Sequence, residues 1–187
     1  RIMNVFHAQS QLQQFLMTEK MATQTIGFVP TMGAIHNGHL SLMQRALNEN
    51  DVVVMSIFVN PTQFNNAEDL DKYPRTLDRD VALIASLSDK IIVYAPTVED
   101  IYEGNTVAQK FDYDGLENEM EGANRPGHFD GVGTIVKKLF EIVQPNRAYF
   151  GEKDFQQLQI IRKMVEKAQM NIDIVGVPIY RQQDGLA

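Results

Sequence analysis

His36 and His39 stand three residues apart, after the apolar run Gly27-Phe28-Val29-Pro30-Thr31 and the turn-forming Met32-Gly33-Ala34-Ile35. A strand that enters such a turn and then a helix leaves backbone N–H groups and partial positive charge at the helix start, where anions collect. Imidazoles placed there add hydrogen-bond donors that can respond as charge builds on a phosphate. The chemistry indicated is nucleotide phosphate binding at an active site. The plainer alternative is two polar residues capping a helix, with Asn37 as N-cap. Gly33 and Gly38 beside both histidines favour the chemical reading. His-x-x-His without a third ligand nearby is weak ground for zinc, and these glycines do not spell the G-x-G-x-x-G of a dinucleotide site.

Three further stretches carry candidate chemistry. In Ser56-Ile57-Phe58-Val59-Asn60-Pro61-Thr62-Gln63-Phe64, two side-chain amides follow a strand. Turn formation explains Asn60-Pro61 but not Gln63, which has no turn preference and reads as a substrate hydrogen-bonder. In Gly151-Glu152-Lys153-Asp154, Asp154 and Gln157 have the spacing of a helix cap. Lys153 at a helix start opposes the macrodipole unless an anion is near, which marks it as a phosphate ligand. In Arg125-Pro126-Gly127-His128-Phe129, Arg125 and His128 could bring positive charge to the same cleft or be solvated; the residues leave both open. The acidic run 68–72, with Asp78 and Asp80, reads as a solvated surface, where an aspartate could also hold Mg²⁺.

The elements that must position these residues alternate. Helices are expected over residues 8–21, 40–50, 76–86, 132–143 and 155–168, and strands over 25–30, 51–59, 90–95, 147–150 and 173–177, with a short strand at Phe111-Asp112-Tyr113. The nearly continuous apolar run 51–59 fits a strand covered on both faces. The expected fold class is α/β, a doubly wound, Rossmann-like parallel sheet. Its ligand should sit beyond the carboxyl ends of the strands.

The chain has 187 residues, a net charge of −7 and no cysteine. That length fits one domain, here residues 1–177, with 178–187 as the start of a hinge. The acidic balance argues against a general nucleic-acid surface, while a local cluster of positive groups would still serve an anionic small molecule. No apolar run approaches the ~20 residues of a membrane helix. The opening residues have no secretory signal pattern, and the lack of cysteine suits a cytoplasmic protein.

Taken together, five stretches resemble the pantoate–β-alanine ligase family: Val29-Pro-Thr-Met-Gly-Ala-Ile-His-Asn-Gly-His39, Ser56-Ile-Phe-Val-Asn-Pro-Thr-Gln-Phe64, Tyr73-Pro-Arg-Thr76, Arg125-Pro-Gly-His-Phe129 and Phe150-Gly-Glu-Lys-Asp-Phe-Gln-Gln-Leu158. Val175-Gly-Val-Pro178 and Asp184-Gly-Leu-Ala187 extend the likeness to the end of the chain. The histidine motif alone resembles the wider nucleotidyltransferase and class I aminoacyl-tRNA synthetase superfamily. The resemblance implies that ATP adenylates the carboxylate of (R)-pantoate, releasing pyrophosphate, and that β-alanine then displaces AMP to give pantothenate. It implies ATP contacts from Met32, Gly33, Ala34, Ile35, His36, Asn37, Gly38 and His39, with His39 as proton donor, and from Gly151, Glu152, Lys153, Asp154 and Tyr180. His36, His39 and Lys153 would be catalytic. Gln63 and Gln157 would bind pantoate or β-alanine, supported by Asn60, Arg125 and His128. Mg²⁺ would accompany ATP, the metal ligands are unassigned, and the family implies a homodimer.

The family continues past this point with a serine/arginine loop and a smaller C-terminal domain. The expectation is therefore a nucleotide-binding domain that keeps ligand binding with reduced turnover. Two rivals stay open on the residues. One is an enzyme that transfers AMP to a phosphorylated acceptor, which has no use for Gln63 and Gln157 as a pair. The other is a non-catalytic nucleotide-binding module.

Overall fold

The run Val52-Val53-Val54-Met55 has no polar side chain to offer solvent, and all four residues are buried. They lie in the middle of one parallel sheet, in a computed structural model that describes residues 3–119 and 127–178. Its strands are β1 (Val5–Phe6), β2 (Ile26–Thr31), β3 (Val52–Ile57), β4 (Ile92–Tyr94), β5 (Arg147–Gly151) and β6 (Asp173–Val177), in the order β1-β4-β3-β2-β5-β6. Every pairing is parallel. The described helices are α1 (Gln9–Leu16), α2 (Glu19–Ala22), α3 (Asn37–Glu49), α4 (Ala67–Lys72), α5 (Leu77–Leu87), α6 (Val98–Tyr102), α7 (His128–Val143) and α8 (Phe155–Lys167).

Alternation along the strands divides the core between the two faces of the sheet. Phe28 and Val54 pack with Leu12, Phe140 and Ile161, from α1, α7 and α8. Val29, Val53 and Met55 pack with Met43 and Ile84, from α3 and α5. The doubly wound α/β expectation therefore holds. Among the described residues no helix is long and apolar enough to cross a membrane.

The chain leaves β2 towards β3 and β4, then returns to place β5 on the other side of β2. Ligands bind at such a switch point, between strands whose connections diverge. Pro30 helps to open it. Ile26 gives its N–H to the Asn146 side chain and its carbonyl to the Asn146 N–H, so its backbone faces β5. Strand alternation turns Pro30 the same way, and proline has no N–H to donate. The β2–β5 pairing accordingly covers only Gly27 and Phe28, whereas β2 pairs with β3 from Ile26 through Thr31.

Several boundaries differ from the sequence expectations. The helix expected over 8–21 is two helices, because Thr18 adopts an extended backbone and caps a second, short one. The α3 and α7 helices begin earlier than expected, at Asn37 and His128. Strand β1 has no counterpart among the expected strands. Phe111-Asp112-Tyr113 is not a strand: Phe111 N–H goes to Asp130 and Tyr113 N–H to Glu117, and carboxylates thus replace a strand partner. The expected site residues Arg125 and Tyr180, and the hinge beyond Pro178, lie outside the described residues.

Candidate active site

The N-cap of α3 is His36 rather than Asn37. Its Nδ1 accepts the Gly38 N–H at 3.0 Å, and His39 Nδ1 accepts the His36 N–H at 3.1 Å. This is a reciprocal capping box built from imidazoles. A ring nitrogen that accepts from a backbone N–H carries no proton, so each neutral ring holds its proton on Nε2. The ring centroids are 4.0 Å apart. Burial, reinforced by His36, pushes the His39 pKa down to about 4 against an opposing pull from Asp80. His39 is therefore neutral at pH 7 and offers an Nε2–H donor. Capping and chemistry do not compete here, since they use different atoms of one ring.

The turn before α3 is held in a backbone form that side chains resist. Gly33 has φ +86° and Ala34 has φ +52°. Asp80, fully buried at 0% exposure, fixes them: its carboxylate accepts the Ala34 and Ile35 N–H groups, each at 3.0 Å. Thr76 Oγ1 and Arg79 donate to the same carboxylate. Thr31 Oγ1 accepts the Gly33 N–H at 3.1 Å. The expectation of a solvated Asp80 is thus overturned. Three consecutive N–H groups of the expected phosphate loop are occupied inside the protein.

Asn60 is 1% exposed, and its amide is fully committed. Its Nδ2 donates to the Gly131 carbonyl at 3.1 Å and to Gln63 Oε1 at 3.0 Å. Its Oδ1 accepts from Thr62 N–H, Thr62 Oγ1 and the Tyr102 hydroxyl. His128 Nδ1 lies 2.8 Å from the Gln63 carbonyl oxygen. Asn60 and His128, expected to support substrate binding, thus hold the side chain and backbone of Gln63. A Cβ on Gly131 would overlap Thr62 O and stand 2.5 Å from Gln63 Cα, so only glycine lets α7 approach this closely.

A cavity of about 220 Å³ opens at the carboxyl ends of β2 and β5. His39, Gln63 and Gln157, from three separate stretches, line it together with Met32 and Asn60. Its apolar wall comes from α7, through Val132, Ile135, Val136 and Leu139. The Gln157 N–H bonds to Asp154, the N-cap of α8, at 3.4 Å, as the cap spacing implies. The turn Gly151-Glu152-Lys153-Asp154 stands across the switch point from the histidines, with Lys153 exposed and outside the cavity wall. His36 and Asn37 are also exposed. The structure therefore brings together His39, Gln63, Gln157 and Asn60, and leaves His36 and Lys153 outside the cavity wall. Among the described residues no three His, Asp or Glu side chains are grouped to hold a metal.

Asp80, Tyr102 and Gly131 escape a reading of the sequence. Asp80 had a signal: it falls one helical turn before Ile84 on the inward stripe of α5. Gly131 and Gly133 inside a helix are costly, which marks a close approach. Tyr102 had none.

An open parallel sheet with its cavity at the switch point and a histidine-capped helix at the cavity's edge defines a nucleotidyltransferase-type domain. Comparison with known proteins narrows this. The chain belongs to the pantoate-beta-alanine ligase family, whose family model matches residues 4–187. A pantothenate synthetase of Flavobacterium psychrophilum is 64% identical over 185 residues, covering 99% of this chain and 66% of that protein. One from Christiangramia forsetii is 53% identical and covered to 65%. The chain thus spans just under two thirds of these relatives' length. A crystal structure of pantothenate synthetase from Thermus thermophilus matches 98% of this chain and 64% of its own, with TM-score 0.88 and 46% identity. A pantoate-beta-alanine ligase from Francisella tularensis, solved with beta-gamma ATP and beta-alanine, matches 98% of this chain and 70% of its own, with TM-score 0.89 and 42% identity.

Proposed function

We propose that this chain is the ATP- and pantoate-binding domain of an ATP-dependent ligase that joins (R)-pantoate to β-alanine through a pantoyl adenylate, releasing pyrophosphate and AMP. The observation that carries this reading is the cavity itself. Two glutamine amides and a neutral imidazole face an apolar wall of Val132, Ile135, Val136 and Leu139. Pantoate has matching parts: two methyl groups on one carbon, two hydroxyls and a carboxylate. An acceptor carrying a phosphate would instead want cations there, and the cavity wall contains no lysine or arginine among the described residues. The ligase family and the relatives' names support the same choice.

In the first step a pantoate carboxylate oxygen attacks the α-phosphorus of ATP, forming an O–P bond as the bond to pyrophosphate breaks. Gln63 and Gln157 hold the hydroxy acid, which supplies the positional part of catalysis. Charge grows on the phosphate oxygens at the α3 N-terminus, where the His39 and His36 Nε2–H groups donate to it. One such donor is typically worth ~3 kcal/mol. With its pKa near 4, His39 acts as a hydrogen-bond donor and keeps its proton. Lys153, which has no ion pair among the described residues, neutralises phosphate charge from the facing turn. In the second step the β-alanine amine attacks the acyl carbon, AMP leaves and the amine loses a proton. Mg²⁺ enters as the counter-ion of ATP. Residues 1–177 form the binding domain and 178–187 begin the hinge, in a cytoplasmic homodimer.

Pantoate-dependent exchange of labelled pyrophosphate into ATP tests the adenylation step. Exchange that requires pantoate and falls at least 100-fold in His39→Ala, with the fold intact, is expected. Exchange unaffected by His39→Ala, or supported equally by a phosphorylated acceptor, overturns the proposal.

A further inference from the structure

Gln63 is reached from inside the protein by a chain of hydrogen bonds whose direction is fixed. Thr62 N–H can only donate and the Gly131 carbonyl can only accept, so Asn60 must turn Oδ1 to the first and Nδ2 to the second. Asn60 Nδ2 then also meets Gln63 Oε1. Gln63 therefore presents Nε2, a donor, to its other side, where the nearest partner is Met32 Sδ at 3.6 Å. A thioether is a poor acceptor, so this donor stays available to a ligand oxygen.

The innermost member of the chain is Tyr102, the last residue of α6, which is 3% exposed. Its hydroxyl donates to Asn60 Oδ1 and lies 2.8 Å from Thr62 Oγ1. Its ring stands beside Phe58 and under Lys138 Nζ, which is 5.5 Å from the ring centroid. Burial pushes the hydroxyl's pKa up, which keeps the proton it donates. The Thr62 N–H contact on the same oxygen is long, at 3.4 Å. The Tyr102 hydroxyl and Thr62 Oγ1, which donates at 3.1 Å, are thus the closer anchors of the Asn60 oxygen.

We infer that Tyr102 is a positioning residue for the hydroxy-acid site: its hydroxyl holds in place the Asn60 amide whose direction Thr62 N–H and the Gly131 carbonyl set, and so keeps Gln63 facing the cavity as a donor to a hydroxyl or carboxylate oxygen. This rests on the ligase reading for the identity of the ligand, but not for the orientation of Gln63. A buried tyrosine 42 residues from Asn60 along the chain thereby steadies the donor that the cavity offers its substrate.

Tyr102→Phe removes the hydroxyl and keeps the ring. The expected result is a rise of about fivefold in the dissociation constant for pantoate, the size of one buried hydrogen bond, with ATP affinity unchanged. The decisive comparison is a double-mutant cycle with Gln63→Ala. If Tyr102 acts through Gln63, then adding Tyr102→Phe to Gln63→Ala changes pantoate binding less than about 1.5-fold. Equal losses in both backgrounds, or no loss in either, overturn the inference. Should the wild-type chain bind no pantoate, the ligase reading fails, and the side-chain amide NMR signals of Gln63 without ligand decide the inference. Those signals move in Tyr102→Phe if it is right and stay in place if it is wrong.

Discussion

Asp80→Asn changes one atom of a buried side chain, and its effect can be worked from the hydrogen bonds. Asp80 Oδ2 accepts the Ala34 N–H and Oδ1 accepts the Ile35 N–H, both at 3.0 Å. Asparagine offers one oxygen, so in either amide orientation an NH₂ faces a backbone N–H. One charge-assisted bond is lost, worth ~1.5–3 kcal/mol, and a buried donor is left unsatisfied. The two losses overlap, and about 3 kcal/mol is the expected cost. For a chain of this length ~1 kcal/mol moves the melting midpoint by ~2–4 °C, so a fall of roughly 6–12 °C follows. The loss falls on Gly33 and Ala34, whose positive φ values depend on this carboxylate. The stabilisation of the fold by added ATP should therefore shrink with it. Differential scanning calorimetry with and without ATP reads both effects. Asp71→Asn, on an exposed side chain of α4, is the control and should stay within about 2 °C. An Asp80→Asn protein that melts with the control and binds ATP like wild type would refute the account of the loop.

Three further outcomes are expected. His39 has its folded pKa lowered from 6.5 to about 4, so between those values the unfolded chain binds the extra proton. Its contribution to stability is full above pH 6.5 and disappears as pH falls through about 4; urea melts across that window should show a slope that His39→Gln flattens, and an unchanged slope contradicts the neutral ring. Lys153→Gln should weaken ATP binding at least tenfold in calorimetric titration while leaving the melting midpoint in place, since the exposed lysine has no ion pair to lose among the described residues; a drop in midpoint with ATP binding intact would reverse its role. Gly131→Ala gains about 1 kcal/mol of helix propensity but forces a Cβ to within 2.6 Å of Gln63 N, so net destabilisation and weaker pantoate binding are expected, and a stabilised protein would show the packing is not tight.

The sequence made the sheet legible because its strands are the apolar runs themselves: residues 173–177 match β6 to the residue. The central segment was harder, since Phe111 and Tyr113 look like a strand while their N–H groups are satisfied by carboxylates outside any sheet. Gln63 is legible because its residue type fits no local role well, His39 because two histidines and two glycines meet at one helix start, and Gln157 only through the family resemblance. For Asn60 and His128 the sequence shows a polar side chain near a site, and not that its atoms are bonded to Gln63. Asp80 reads as solvated because Asp78, Arg79 and Asp80 form one charge run, which hides the carboxylate that turns inward. Gly33 was recognised as a turn residue, but the strain at Ala34 depends on a partner 46 residues away.

The helix cap made by His36 and His39 places two selective pressures on the same rings. Nδ1 closes the first turn of α3, and Nε2 is left over for an anion. A descendant that had stopped using nucleotide would still keep both histidines to hold the helix end, so the pair alone in a distant homologue is no sign that the homologue is active. Lys153 supports no part of the described fold and would be the first to drift. With the role proposed above for Lys153, its retention or loss is the better marker of whether such a homologue still handles phosphate.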